Sequence, residues 1–94
     1  MNIDFYQTKT PKQIQQNIVT NVRARRKEIK LTQKELSIKS GVSLGSLKRF
    51  ETTGEISLLS LVKIAIALGC QEELLSLFEK KQYLSIQEII DEQD

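Results

Sequence analysis

Residues 31–51 read LTQKELSIKSGVSLGSLKRFE. Two helix starts stand eleven residues apart in this stretch, at Thr32 and Ser43. Thr32-Gln33-Lys34-Glu35 is a capping box, in which the threonine hydroxyl and the glutamate carboxylate satisfy each other's backbone N–H groups. It predicts a short helix through Leu36 and Ser37 to about Ser40. Gly41 stops it, because glycine enters the left-handed region without steric penalty. Ser43 caps a second short helix, with Leu47 and Phe50 turned inward and Lys48 and Arg49 outward. Thr52-Thr53-Gly54 closes it.

Working outward, the other helix starts are equally legible. Thr10-Pro11-Lys12-Gln13 sets a threonine cap, proline at the first helical position and glutamine at the third. Ile14, Ile18, Val22 and Ile29 follow at helical spacing. Arg23, Arg25, Arg26 and Lys27 crowd the last turns, where cations suit the helix dipole, and the helix is expected to reach about Lys30. Ser57 caps a fourth segment through Leu58, Leu61, Ala65 and Leu68 to Gly69. Only Ser60 and Lys63 are polar between Leu58 and Leu68. A surface helix needs one apolar stripe, so this one is expected to be covered on two sides. A fifth helix is expected over roughly Gln71 to Lys80. Ser85-Ile86-Gln87-Glu88 opens a last one carrying Ile86, Ile89 and Ile90. No segment has the period-two alternation of a confident strand; residues 3–6, IDFY, could form a short extended arm. The expectation is an all-α compact helical bundle. It divides into an N-terminal arm (1–10), a helical domain (11–70) and a C-terminal helical extension (71–94).

Composition bounds the function. Ninety-four residues make one domain, or one domain with a tail, and 39% apolar residues allow a modest core. The single cysteine, Cys70, allows no intrachain disulfide, which fits a reducing compartment. Beside Gly69 at a helix end it reads as a small buried filler. There is no histidine, hence no common general base or metal ligand of that type. No apolar run reaches membrane-spanning length, and MNIDFYQTKT lacks a basic-then-apolar leader pattern. The expected location is cytoplasmic, with no membrane partner. Charge is unevenly placed. Residues 1–54 hold eleven Lys/Arg and four Asp/Glu, a net of +7, and residues 55–94 hold three and eight, a net of −5. A basic front suits a polyanion.

Helix, tight turn, helix within a helical bundle is the helix-turn-helix arrangement. Small residues are needed where the first helix crosses behind the second, and Ser37 and Gly41 supply them; Val42 plugs the turn into the core. The second helix must show side chains to a groove while apolar residues anchor it. A major groove admits a helix and carries a distinguishing donor–acceptor code. Arginine or lysine can pair with the guanine O6/N7 edge, and apolar atoms can meet the thymine methyl. Lys48 and Arg49 are the candidate polar readers and Leu44 an apolar one.

The stretch LTQKELSIKSGVSLGSLKRFE, followed by LLSLVKIAIALG, resembles the Xre/Cro/CI family of bacterial and phage DNA-binding domains over about residues 15–70. Leu31-Thr32-Gln33, Glu35-Leu36, Gly41-Val42-Ser43, Arg49-Phe50-Glu51 and Ala67-Leu68-Gly69 carry the resemblance. It implies a lambda-repressor-like bundle. Gln33 then corresponds to a phosphate contact, Ser43, Leu44, Gly45, Lys48 and Arg49 to positions facing DNA, and Thr52 and Thr53, just past the second helix, to further backbone contacts. Gly45 stands where the family commonly has a polar reader, Ser37 replaces an alanine, and the loop Glu51–Gly54 is one residue longer than the commonest form. The segment RFETTGEISLLSLVKIAIALGC is similar to the HipB-like antitoxin branch. That similarity implies a repressor of its own operon, nucleoid-associated when bound to its operator, with a HipA-like serine/threonine kinase toxin as partner. The alternative is a free-standing regulator, of the phage type or a restriction-modification controller, with no toxin partner. Either form is expected to bind double-stranded operator DNA as a homodimer, through the region after Gly54. No cofactor, metal or catalysis is expected. Ser60-Leu61-Val62-Lys63 matches an S-x-x-K pattern, but the S-D-N and K-T-G elements that accompany it in acyl-transfer enzymes are missing. Glu72 and Glu73 suit the first turn of a helix.

Overall fold

Five α-helices follow one another in the computed structural model, which describes residues 9–81. They are α1 (Pro11–Glu28), α2 (Gln33–Ser40), α3 (Leu44–Thr53), α4 (Leu58–Ala67) and α5 (Gln71–Leu75). The described residues contain no strand. The IDFY segment and the Ser85 capping box lie outside them.

The four predicted caps that fall among the described residues are formed. The side chains of Thr10, Thr32, Ser43 and Ser57 accept from the backbone N–H three residues on. Around Thr32 the box is complete: Thr32 N–H donates to Glu35 Oε1 at 2.8 Å and Glu35 N–H to Thr32 Oγ1 at 3.0 Å. The Thr32 backbone donor, then its hydroxyl, hold the Glu35 carboxyl below its usual value. Gly41 and Gly54 end α2 and α3 in the left-handed region, at φ 78° and 82°.

The core is formed by Val19, Leu36, Val42, Leu47, Phe50, Ile64 and Ala67, with Val22, Leu31, Ile56, Leu61 and Leu68 packed against it. Within it α2 packs on α3 and α4, α1 on α3, and α4 on α5.

Several expectations are corrected. The inward face of α1 is not the isoleucine row: Ile14, Ile18 and Ile29 are exposed, while Val19 and Arg26 are buried. Arg26 lies four residues beyond Val22 and seven beyond Val19, and it turns inward because a carboxylate waits there. α1 ends at Glu28 rather than Lys30, whose φ of 59° breaks the helix. α5 stops at Leu75 rather than near Lys80. Ser76 Oγ turns back on the Glu73 carbonyl and Phe78 takes φ 61°. Gly41 is not needed for a close crossing, since a Cβ built there would meet nothing within 4 Å; its conformation alone requires glycine. Cys70 is half-buried rather than buried, and burial, then Glu73, pushes its thiol pKa up. On α4, Ile64, Ala65 and Ala67 are buried, but Leu58, Leu59 and Ile66 stay exposed among the described residues.

Candidate nucleic-acid interface

The turn between α2 and α3 is fixed by side chains. Ser37 Oγ donates to the Val42 carbonyl at 2.6 Å, and Val42 N–H donates to Ser40 Oγ at 3.1 Å. Val42 enters the core as predicted, at 4% exposure. Leu47 and Phe50, fully buried, then seat α3 on the bundle. With those two positions inward, the helical period sets Gly45, Lys48, Arg49 and Thr52 outward, and all four are exposed. Leu44, at the start of the same helix, is half-buried.

The described acids of the basic half are each occupied. Glu28 pairs with Arg25, and Glu35 caps α2. Glu51 is the centre of a buried polar cluster. Its two oxygens accept from Arg26 Nε and Nη2, both at 3.0 Å, a bidentate pair. Arg26 Nη1 also donates to the Leu31 carbonyl at 2.9 Å, closing the α1–α2 turn. Arg23 Nε stands 3.6 Å from Glu51 Oε1. Arg26 and Glu51 brace the back of α3; the sequence placed Arg26 only among the cations of the last helical turns and Glu51 only in the Arg49-Phe50-Glu51 motif, and did not pair them. The available signal was Arg26 continuing the Val19–Val22 row, with a carboxylate next to the anchor Phe50.

The predicted contact residues fall into two groups. Lys48, Arg49 and Gly45 share the exposed face of α3. Lys48 makes no ion pair among the described residues. Arg49 Nη2 donates to Glu55 Oε1 at 2.6 Å. A Cβ at Gly45 would meet nothing within 4 Å, so the position is open. The second group is held by the fold. Gln33 heads α2, and its Nε2 donates to Glu51 Oε1 at 3.0 Å. That bond leaves its second amide hydrogen and its helix-start N–H for another acceptor. Ser43 is spent as the α3 cap, accepting from Ser46 N–H at 3.1 Å and bonding Ser46 Oγ at 2.9 Å. Thr52 and Thr53 lie inside the last turn of α3, not past it. Their hydroxyls donate to the Lys48 and Arg49 carbonyls, at 2.9 and 2.7 Å. The Thr53 carbonyl in turn accepts from Lys12 Nζ at 2.9 Å. The helix runs on because Gly54, not a threonine, supplies the left-handed stop. Ser60 and Lys63 sit on α4, where Ser60 N–H completes the Ser57 cap and Lys63 is exposed.

A short helix held by two core side chains behind a fixed turn, with an open cationic face, is a helix-turn-helix DNA-binding unit. Residues 22–75 match the helix-turn-helix family. The chain belongs to that family, of the Xre/Cro/CI type, whose members are DNA-binding transcription regulators. Its helical bundle is of the lambda-repressor type. No curated protein and no solved structure matches the chain. No helix among the described residues is long and apolar enough to cross a membrane.

Proposed function

We propose that the chain is a sequence-specific repressor that binds operator DNA as a homodimer. The observation that carries this reading is the exposed Gly45–Lys48–Arg49 face of a helix whose opposite side is buried through Leu47 and Phe50. Arg49 and Lys48 read base edges. Gly45 and Leu44 allow close approach and apolar contact, and Gln33, Ser43, Thr52 and Thr53 position the backbone. The second copy docks on the face that leaves Leu58, Leu59 and Ile66 exposed, together with residues of the 71–94 extension. A two-fold dimer of such units reads half-sites about 34 Å apart, or a multiple of that spacing.

At the finer level we propose an autoregulating antitoxin of a kinase toxin operon in the cytoplasm. The likeness of residues 49–70 to the HipB-like branch supports it, as does the acidic half left over once the basic half engages DNA. A neighbouring gene product with a kinase fold that co-purifies with the chain is the expected result. If no such product co-purifies, the plain repressor reading stands in its place.

The test of DNA reading is selection from a random duplex pool followed by two substitutions. Arg49→Ala should cost about 1–3 kcal/mol on the selected site and relax preference at one base pair per half-site. Gln33→Ala should weaken all sequences evenly, because phosphate contacts position without specifying. Equal losses on selected and random DNA for both variants would remove Arg49 from base reading.

A further inference from the structure

We propose that Glu55 is a positioning residue for Arg49 and sets how sharply the protein separates its cognate site from other DNA. The inference rests on the assignment of Arg49 to base reading made above. Three hydrogen bonds close a ring around this pair. Thr53 Oγ1 donates to the Arg49 carbonyl at 2.7 Å and accepts Glu55 N–H at 3.1 Å, and Glu55 Oε1 accepts from Arg49 Nη2 at 2.6 Å. Gly54, at φ 82°, turns the chain so that residue 55 comes back beside the helix it has just left. The carboxylate is therefore placed by backbone geometry.

The pair does little for the fold. Both side chains are more than half exposed, 67% for Arg49 and 59% for Glu55, and exposed ion pairs contribute little stability. Its chemistry points to the interface instead. A guanidinium has five N–H donors, and Glu55 takes one. The guanine O6/N7 edge needs two. Arg49 can thus hold Glu55 and a guanine at once, with the carboxylate setting the plane of the guanidinium. On non-cognate DNA the competing acceptor is a phosphate, which attracts any free cation irrespective of sequence. Glu55 already occupies Arg49 and repels phosphate oxygens, so that sequence-blind contact is weakened. The described acids of the basic half, Glu28, Glu35 and Glu51, are engaged elsewhere. Glu55 is the acid that reaches the outward side of α3.

The experiment uses the full chain in four forms: unaltered, Glu55→Gln, Arg49→Ala and the double variant. Each is run through duplex selection and through binding to its selected and to random duplexes at two salt concentrations. Glu55→Gln should melt with the unaltered protein. It should lower the selected-to-random affinity ratio by about fivefold, the scale of releasing one exposed ion pair. Its salt slope on random DNA should steepen by about one, and its base preference should broaden at the Arg49 position. In the Arg49→Ala background the Glu55 substitution should broaden nothing further. An unchanged ratio and preference in Glu55→Gln overturns the proposal. So does the same broadening with and without Arg49, which would make Glu55 a simple repulsive charge. If Arg49→Ala keeps the unaltered base preference, the reading role itself fails and the proposal falls with it. That outcome is distinct from a Glu55 variant that does nothing beside a working Arg49.

Discussion

Glu51 shows how much can hang on one carboxylate. It takes a bidentate pair from Arg26 and a third hydrogen bond from Gln33, with only 5% of its side chain exposed. α1 and α2 are thereby tied to the last turns of α3. Removing one partner of a buried pair leaves the other charge without compensation, which costs about 3–5 kcal/mol. Glu51→Gln should therefore lower unfolding free energy by roughly 3 kcal/mol in urea titrations. Pairing it with Arg26→Met should restore part of the loss, because the stranded charge is gone. If the double variant is less stable than the single one, the guanidinium contributes chiefly through packing and its bond to Leu31.

Among the elements, α3 combines two demands that pull on the same residue. Gly45 lies in the first turn of a ten-residue helix, with open space where a Cβ would go. Glycine costs about 1 kcal/mol relative to alanine within a helix. Gly45→Ala should raise stability by about 0.5–1 kcal/mol in thermal melts. It should also weaken operator binding if the glycine serves close approach to DNA; a variant that is both more stable and binds as well would end that role. α2 carries a pH signature. The Glu35 carboxyl is held low in the folded state by Thr32. Its stabilisation is complete above the ordinary carboxyl range and is lost as pH falls through the lowered folded value. Glu35→Gln should flatten that part of an acid-unfolding curve followed by circular dichroism.

Caps and stops were legible in the sequence because they are local: Thr10, Thr32, Ser43 and Ser57 each act within three residues, and Gly41 and Gly54 act through their own φ. The inward side of α1 was not legible. Hydropathy favours the isoleucines, whereas the decisive partner of Arg26 is Glu51, twenty-five residues away. The end of α5 was missed for a related reason, since Gln71–Lys80 has helical composition and the turn at Phe78 leaves no glycine or proline to announce it. At the interface, the outward position of Lys48 and Arg49 followed from Leu47 and Phe50 by helical period. The bond from Arg49 to Glu55 crosses a turn and has no periodicity to reveal it.

For the whole molecule, the open side of α4 matters most. Leu58 and Leu59 are 67% and 64% exposed, and Ile66 55%, beside an apolar groove lined by Val62, Ile66, Leu74 and Leu75. In the proposed dimer this face meets a second copy. Leu59→Glu should leave the melting temperature of the isolated bundle nearly unchanged, because the side chain is exposed there. It should convert a dimer to a monomer in sedimentation at micromolar concentration and weaken binding to a two-half-site duplex far more than to a single half-site. An unaltered protein that sediments as a monomer would exclude this face as the contact. The face of α3 has a different consequence, in the history of the gene. Folding depends on Leu47, Phe50 and Glu51, while Gly45, Lys48 and Arg49 stand clear of the core. In the proposed reading role, duplicate copies can change those three codons one at a time and pass only through foldable intermediates, so the sequence a copy recognises can drift while the fold is kept.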